Sequence, residues 1–250
     1  MPDRKFGRIS PAILPHDDPT VRHFSLALRK PTLKRPPVAV SWSKSSVYGM
    51  HLNDQLGSCG PASAANATQD FTSWTQPKVT TIDDDECLAI YEAVGGYNPR
   101  NPASDQGVIL KDLFEYWKTE GIGGYKIIDY FSVDPQNPVN QSWAIEIFGG
   151  LIYGVNLPQS ALNAMDAGKV WDYVPRSQIV GGHAIWSSGY DPSGRKARSW
   201  TELVGMTGAF IQHDAEEAWG VIHPAWFDPH TGLCPNGLNL ESIMKDAVLI

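Results

Sequence analysis

Cys59 stands in the run Gly57-Ser58-Cys59-Gly60-Pro61, where a loop gives way to a stretch of small residues. A thiol at a helix N-terminus lies among unpaired N–H groups and the positive end of the helix dipole, and both favour the thiolate. A thiolate attacks carbonyl carbon, and the same N–H groups can hold the oxyanion that results. Such a nucleophile needs a base. Among the seven histidines, His183 has the most informative frame, because Gly181 and Gly182 before it leave room for a substrate backbone to pass. His51, in the loop before Cys59, is its rival. His213, His223 and His230 fall in late segments and read as surface or structural residues. The plainer alternatives are a small buried hydrophobe for Cys59 and a hydrogen-bonded core imidazole for His183.

A Cys–His pair also needs a third group to orient the imidazole and a side-chain donor for the oxyanion. Asn53 and Gln55 both precede Cys59 closely enough to donate. Ser199, on the return strand of a hairpin that starts with His183, is within reach as the orienter.

The elements that must position these residues follow from periodicity. A helix over 59–74 is predicted from Ala64, Ala67, Phe71 and Trp74, with Ser58 as its cap and Pro61 in its first turn. Further helices are expected over 83–94, opened by Asp83 to Glu86 and closed by Gly95-Gly96, and over 107–119 and 139–147. The second half reads as strands. One covers 149–158. Another pair, 181–190 and 195–200, is joined by Asp191-Pro192-Ser193-Gly194 as a hairpin. Apolar stretches at 207–212 and 217–222 complete an antiparallel sheet. Helices first and strands second indicate an α+β chain.

Composition narrows the function classes. The net charge of −7 argues against a general nucleic-acid binder. Residues 1–37 hold eight Lys/Arg against three Asp, and seven of the nineteen prolines. Residues 1–42 therefore read as an extended basic arm outside the core, with Pro31, Pro36 and Pro37 favouring an open backbone. No apolar run is long enough for a membrane span, and the N-terminus lacks a signal peptide's apolar stretch. Three cysteines, Cys59, Cys87 and Cys234, leave at least one free thiol, and a reducing compartment is expected. Cys87 and Cys234 read as structural.

These residues resemble the papain-like cysteine peptidase superfamily. LNDQLGSCG (52–60) is similar to the family's nucleophile region, Asn-Gln-Gly-x-Cys-Gly-Ser-Cys-Trp-Ala. PPVAVSWSKSS (36–46) is similar to the start of mature papains, and Trp42 lies seventeen residues before Cys59. GGHAIWSSGYD (181–191) resembles Gly-Gly-His-Ala-Val-x-x-x-Gly-Tyr, and SWTELVG (199–205) stands where the family has Asn-Ser-Trp-Gly. The nearest resemblance is to papain-like proteins common in bacteriophage genomes, through LNDQLGSCG, YEAVGGY (91–97), SWTELVGMTGAF (199–210) and AEEAWGVI (215–222).

The resemblance implies a two-lobed fold, with a helical lobe at about 43–135 carrying Cys59 and a β lobe at about 136–250 carrying His183. It implies a hydrolase that cleaves an amide or peptide bond through a thioester, with no metal or organic cofactor. The superfamily's oxyanion Gln lies six residues before the nucleophile. Asn53 holds that place here, so Gln55 is preferred on residue type and Asn53 is the alternative. The superfamily's orienting Asn is missing. Counting through the hairpin gives Ser199, while aligning on Trp200 gives Arg198, which has no acceptor for an imidazole N–H. The expected partner is a protein or peptide substrate. The arm fits either a propeptide-like strap over the cleft or a docking arm for virion proteins. Host cytoplasm or virion is the expected location. Two other readings remain: a non-catalytic virion or tail-associated component that reuses the fold, and thiol acyl transfer such as deamidation or transglutamination.

Overall fold

The computed structural model describes residues 4–25, 35–44, 48–241, 243 and 248–249. Its first long element, α1 (Cys59–Thr75), is buried from Cys59 through Thr72. Ala62, Ser63, Ala64, Ala65 and Ala67 make this possible, because side chains this small let neighbours approach the helix from every side. Ser58 does not cap it. The Ser58 hydroxyl donates instead to the carbonyl of His51 at 2.8 Å, which ties down the preceding loop and leaves the first-turn N–H groups of α1 without a side-chain acceptor.

Two helices back this one. Helix α2 (Asp84–Gly95) opens where Asp83 accepts the Glu86 N–H at 2.8 Å and closes at Gly96 in the left-handed region. Helix α3 (Leu110–Thr119) turns Leu110, Leu113, Phe114 and Trp117 inward. Helix α4 (Pro138–Phe148) follows, capped by Asn137. All four lie close to the segments predicted.

The remaining architecture is an antiparallel sheet. Its strands are β2 (Val40–Ser41), β3 (Asp129–Ser132), β4 (Leu151–Pro158), β5 (Ile179–Asp191), β6 (Gly194–Ser199), β7 (Glu202–Met206) and β8 (Ala215–Ile222). The order is β3-β8-β4-β5-β6-β7, with β2 pairing the end of β5 that β4 does not reach. Strand β3, inside the segment expected to be helical, forms one edge. Helix α5 (Gln159–Asp166) follows β4, and α1 packs against β5. That contact brings the two halves of the chain together.

The stretch 207–212 is not a strand. Strand β7 ends at Met206, and Thr207 then caps α6 (Gly208–Asp214) by accepting the Phe210 N–H at 3.1 Å. A six-residue apolar run carries no period by which to tell helix from strand, so the cap decides.

The arm is extended but not detached. Val21 and Phe24 enter the core, β1 (Phe24–Ser25) pairs with β9 (Val248–Leu249), and Arg8 is 4% exposed. Arg29, Lys30, Pro31 and Lys34 lie outside the described residues. Among the described residues no helix is long and apolar enough to cross a membrane.

Candidate active site

Cys59, 1% exposed, starts α1, and its Sγ accepts the backbone N–H of Ala184 at 3.4 Å. Ala184 follows His183 on β5. Packing α1 on β5 thus brings together two residues 124 positions apart. The imidazole Nε2 meets the Ser199 hydroxyl at 2.8 Å, while Nδ1 has no hydrogen-bond partner, the sulfur included. Trp200 stacks on the imidazole at 4.0 Å and 10°. It reaches there through a tight turn between β6 and β7, with Trp200 at φ 45° and Thr201 at φ 69°, closed by the Ser199–Glu202 pair.

Burial pushes the Cys59 thiol up, against the N–H groups of Ala184, Gly7 and Gly60, which favour the thiolate. Burial also lowers His183 to about 3, and the Arg8 cation adds to the effect. In this arrangement the pair is a neutral thiol beside a neutral imidazole.

The arm causes that burial, because residues 5–9 run through the groove between the two halves of the pair. Gly7 and Arg8 both donate to the Gly182 carbonyl, at 3.1 and 3.0 Å. Ile9 donates to Val108 at 2.9 Å, Val108 donates to Gly7 at 2.7 Å, and Lys5 donates to Asn53 at 3.0 Å. Phe6 meets the rings of His183 and Trp200 edge-on. Glycine is required at position 7: a Cβ there would fall inside the Gly57 carbonyl. Gly182 offers the matching space on the other wall, where a Cβ would strike the Arg8 carbonyl. The glycines before His183 do leave room for a backbone, and the backbone they admit is the chain's own.

The other sequence expectations divide. Gln55 is exposed, and its side chain has no partner among the described residues. Asn53 is buried, and its amide donates to the Leu56 carbonyl at 3.1 Å and to the arm's Lys5 carbonyl at 3.3 Å. The structure therefore brings Asn53, not Gln55, into the groove. Arg198 lies over the Tyr48 ring and donates to Ser43, so Ser199 alone of the two reaches His183. His51 is buried with neither ring nitrogen bonded. His223 stacks on Phe71 and accepts the Ala225 N–H. The three cysteines are free thiols; burial raises Cys87, and Cys234 donates to Leu238.

One feature had no signal in the sequence. Asp70, three turns along α1 from Cys59, accepts Tyr48 Oη at 2.5 Å and Trp186 Nε1 at 2.7 Å, binding α1 to β5 beneath the pair. The seating of Phe6-Gly7-Arg8 in the groove agrees with the strap over the cleft that the resemblance allowed for the arm. A cavity of about 460 Å³, lined in part by Gln141, Tyr190, Arg195 and Ile211, does not include Cys59 or His183.

Solved structures with the same architecture include xylellain, a cysteine protease from Xylella fastidiosa, with a TM-score of 0.67 at 16% identity, covering 88% of this chain and 98% of that one. The fold is papain-like. The Amb a 11 cysteine protease of ragweed pollen, in its proform, superposes with a TM-score of 0.54 at 13% identity over 79% of this chain and 70% of that one. The bromelain protease of Ananas comosus gives 0.54 at 12% identity over 74% and 98%. No family model matches the chain, and no curated protein matches it.

Proposed function

We propose that this chain is a papain-like cysteine peptidase kept latent by its own residues 5–9. The observation that carries the reading is the meeting of the Cys59 sulfur, at the N-terminus of α1, with the His183 segment of β5, where Ser199 already holds the imidazole. With the arm displaced, Nδ1 of His183 takes the thiol proton and the Cys59 thiolate attacks an amide carbonyl. The Cys59 N–H and the Asn53 amide receive the oxyanion, since Asn53 already donates to a backbone carbonyl in the groove. His183 then gives its proton to the leaving amine, and water hydrolyses the thioester. Ser199 fixes the ring through Nε2, and Trp200 shields that face from water.

Latency is supported by the neutral state of the pair and by residues 5–9, which fill the groove where a substrate backbone would run, with Gly7 and Arg8 both bonded to the Gly182 carbonyl. The likeness of residues 91–97 and 199–222 to phage papain-like proteins supports a phage-encoded enzyme, with host cytoplasm or virion as its place of action.

The test incubates the full chain carrying Gly7→Ala, which opens the groove, with a peptide library. New N-termini are read by mass spectrometry against the same chain with Cys59→Ala. Cleavage that requires Cys59 is expected. Selective Cys59 alkylation without cleavage would replace the peptidase with a binding module, and Gln-to-Glu conversion without cleavage would make it a deamidase.

A further inference from the structure

Arg8, the neighbour of the residue over the sulfur, turns its side chain away from solvent into a pocket beside the pair. Its guanidinium donates to Glu217 Oε1 at 2.9 Å, Glu216 Oε2 at 2.6 Å, Asn156 Oδ1 at 2.9 Å and Ser10 Oγ at 3.1 Å. Except for Ser10, the acceptors belong to the body of the protein, on β4 and β8. The walls are held mainly from the body, and Ser10 of the arm adds one donor to Glu216 at 2.8 Å. Trp219 Nε1 holds Glu217 at 2.7 Å, and Asn156 donates to Glu216 at 2.6 Å. Gly154, paired with Glu217 across the strands, leaves the channel for the arginine stem, since a Cβ there would lie 2.6 Å from Arg8 Cδ.

We propose that this pocket is the side-chain specificity pocket of the groove, and that it selects a guanidinium-bearing residue in the bound peptide. The inference rests on the peptidase reading for what becomes of that peptide. The arm shows the fit by occupying the pocket itself. Glu217 is 1% exposed, and burial raises its carboxyl even though Arg8 pulls it down. Glu216 is less enclosed; burial there opposes the pull of Arg8, Asn156 and Ser10, and the pull wins. Displacing the arm removes the cation from a desolvated carboxylate, which is strongly unfavourable until another cation replaces it. A planar guanidinium can span both carboxylates and Asn156 at once, whereas an ammonium is a single point charge. A leucine or phenylalanine would bury Glu217 with no cation beside it, leaving only the Trp219 N–H as its partner.

The test uses the full chain with Arg8→Ala and Cys59→Ala, so that the pocket is vacant and nothing is cleaved. Acetylated, amidated hexapeptides copying residues 5–10 are titrated calorimetrically with arginine, its neutral isostere citrulline, or lysine at the fourth position. The arginine peptide should bind at least about tenfold more tightly than the citrulline peptide, with lysine between them. Adding Glu217→Gln should bring arginine and citrulline within about twofold. Glu216→Gln, at a position 30% exposed and so tolerant of change, should also narrow the gap if the first variant fails to fold. Equal binding of arginine and citrulline, or binding of neither, overturns the proposal. Cleavage of the peptide library by the Gly7→Ala chain separates the two ideas. Cleavage with no arginine preference refutes the pocket and leaves the peptidase standing. Arginine-selective binding without cleavage refutes the peptidase and leaves the pocket.

Discussion

Replacing Gly7 with alanine adds one methyl group at the narrowest point of the groove. That methyl would overlap the Gly57 carbonyl, whose atoms are backbone and cannot turn aside. Relieving the overlap needs a displacement of about 1 Å or more, enough to break hydrogen bonds that now measure 2.7 to 3.1 Å. At least three are at risk: Gly7 and Arg8 to the Gly182 carbonyl, and Val108 to Gly7. At about 1 kcal/mol net for each, seating loses about 3 kcal/mol, or roughly a hundredfold in the open fraction. The assay is alkylation by iodoacetamide, followed peptide by peptide. Cys59 should react about a hundred times faster in Gly7→Ala than in the parent chain, while buried Cys87 and Cys234 keep their rates. An unchanged Cys59 rate would refute the claim that the arm shields the thiol. A common rise at all three cysteines would mean global unfolding and refute it equally.

Acid should loosen the arm. With the arm seated His183 titrates at about 3; once the groove is hydrated and Arg8 has left, the ring returns toward its ordinary value near 6.5. Between those values the open state takes up a proton that the seated state refuses, so seating weakens as pH falls through the window and is indifferent to pH above it. From pH 7 to pH 5 the effect is about twentyfold, to be read as lost protection of the Arg8 and Ile9 amides, corrected for intrinsic exchange. Constant protection would count against it, with the Tyr153 amide of β4 as the control. Ser199→Ala, placed in the Gly7→Ala chain, should lower kcat about tenfold with KM unchanged, because it frees the ring without touching the groove. Ser199→Asn should recover part of the loss, and a change confined to KM would contradict the positioning role.

The sequence made the helices and the hairpin readable because each carried its own punctuation. Asp83, Gly95-Gly96 and the Asp191 to Gly194 turn are local signals, and the structure uses them locally. His183 and Ser199 could be paired by a gap-free count against the family's pattern, while the register itself sets Arg198 opposite Trp186 and shifts between Ser187 and Gly189. Asn53 and Gln55 could not be separated that way. Their loop passes through left-handed residues at His51 and Leu52, so spacing along the chain does not say which amide faces the groove. The arm agrees with a strap over the cleft but not with a place outside the core, where Val21 and Phe24 are buried. Its prolines and charges indicate an extended backbone, but extension does not reveal that a groove of matching width waits for it.

The arm is joined to the body at both ends of its path, in the groove at Gly7 and in the core at Phe24. The linking residues, PAILPHDDPT over 11–20, are mostly exposed. A ligand leashed this closely acts at a local concentration of roughly millimolar, and a free peptide must outcompete that before it can enter. One cut within the leash would turn a contest inside a single molecule into one between two molecules. Dilution would then favour departure of residues 5–9 without any change in the contacts that hold them.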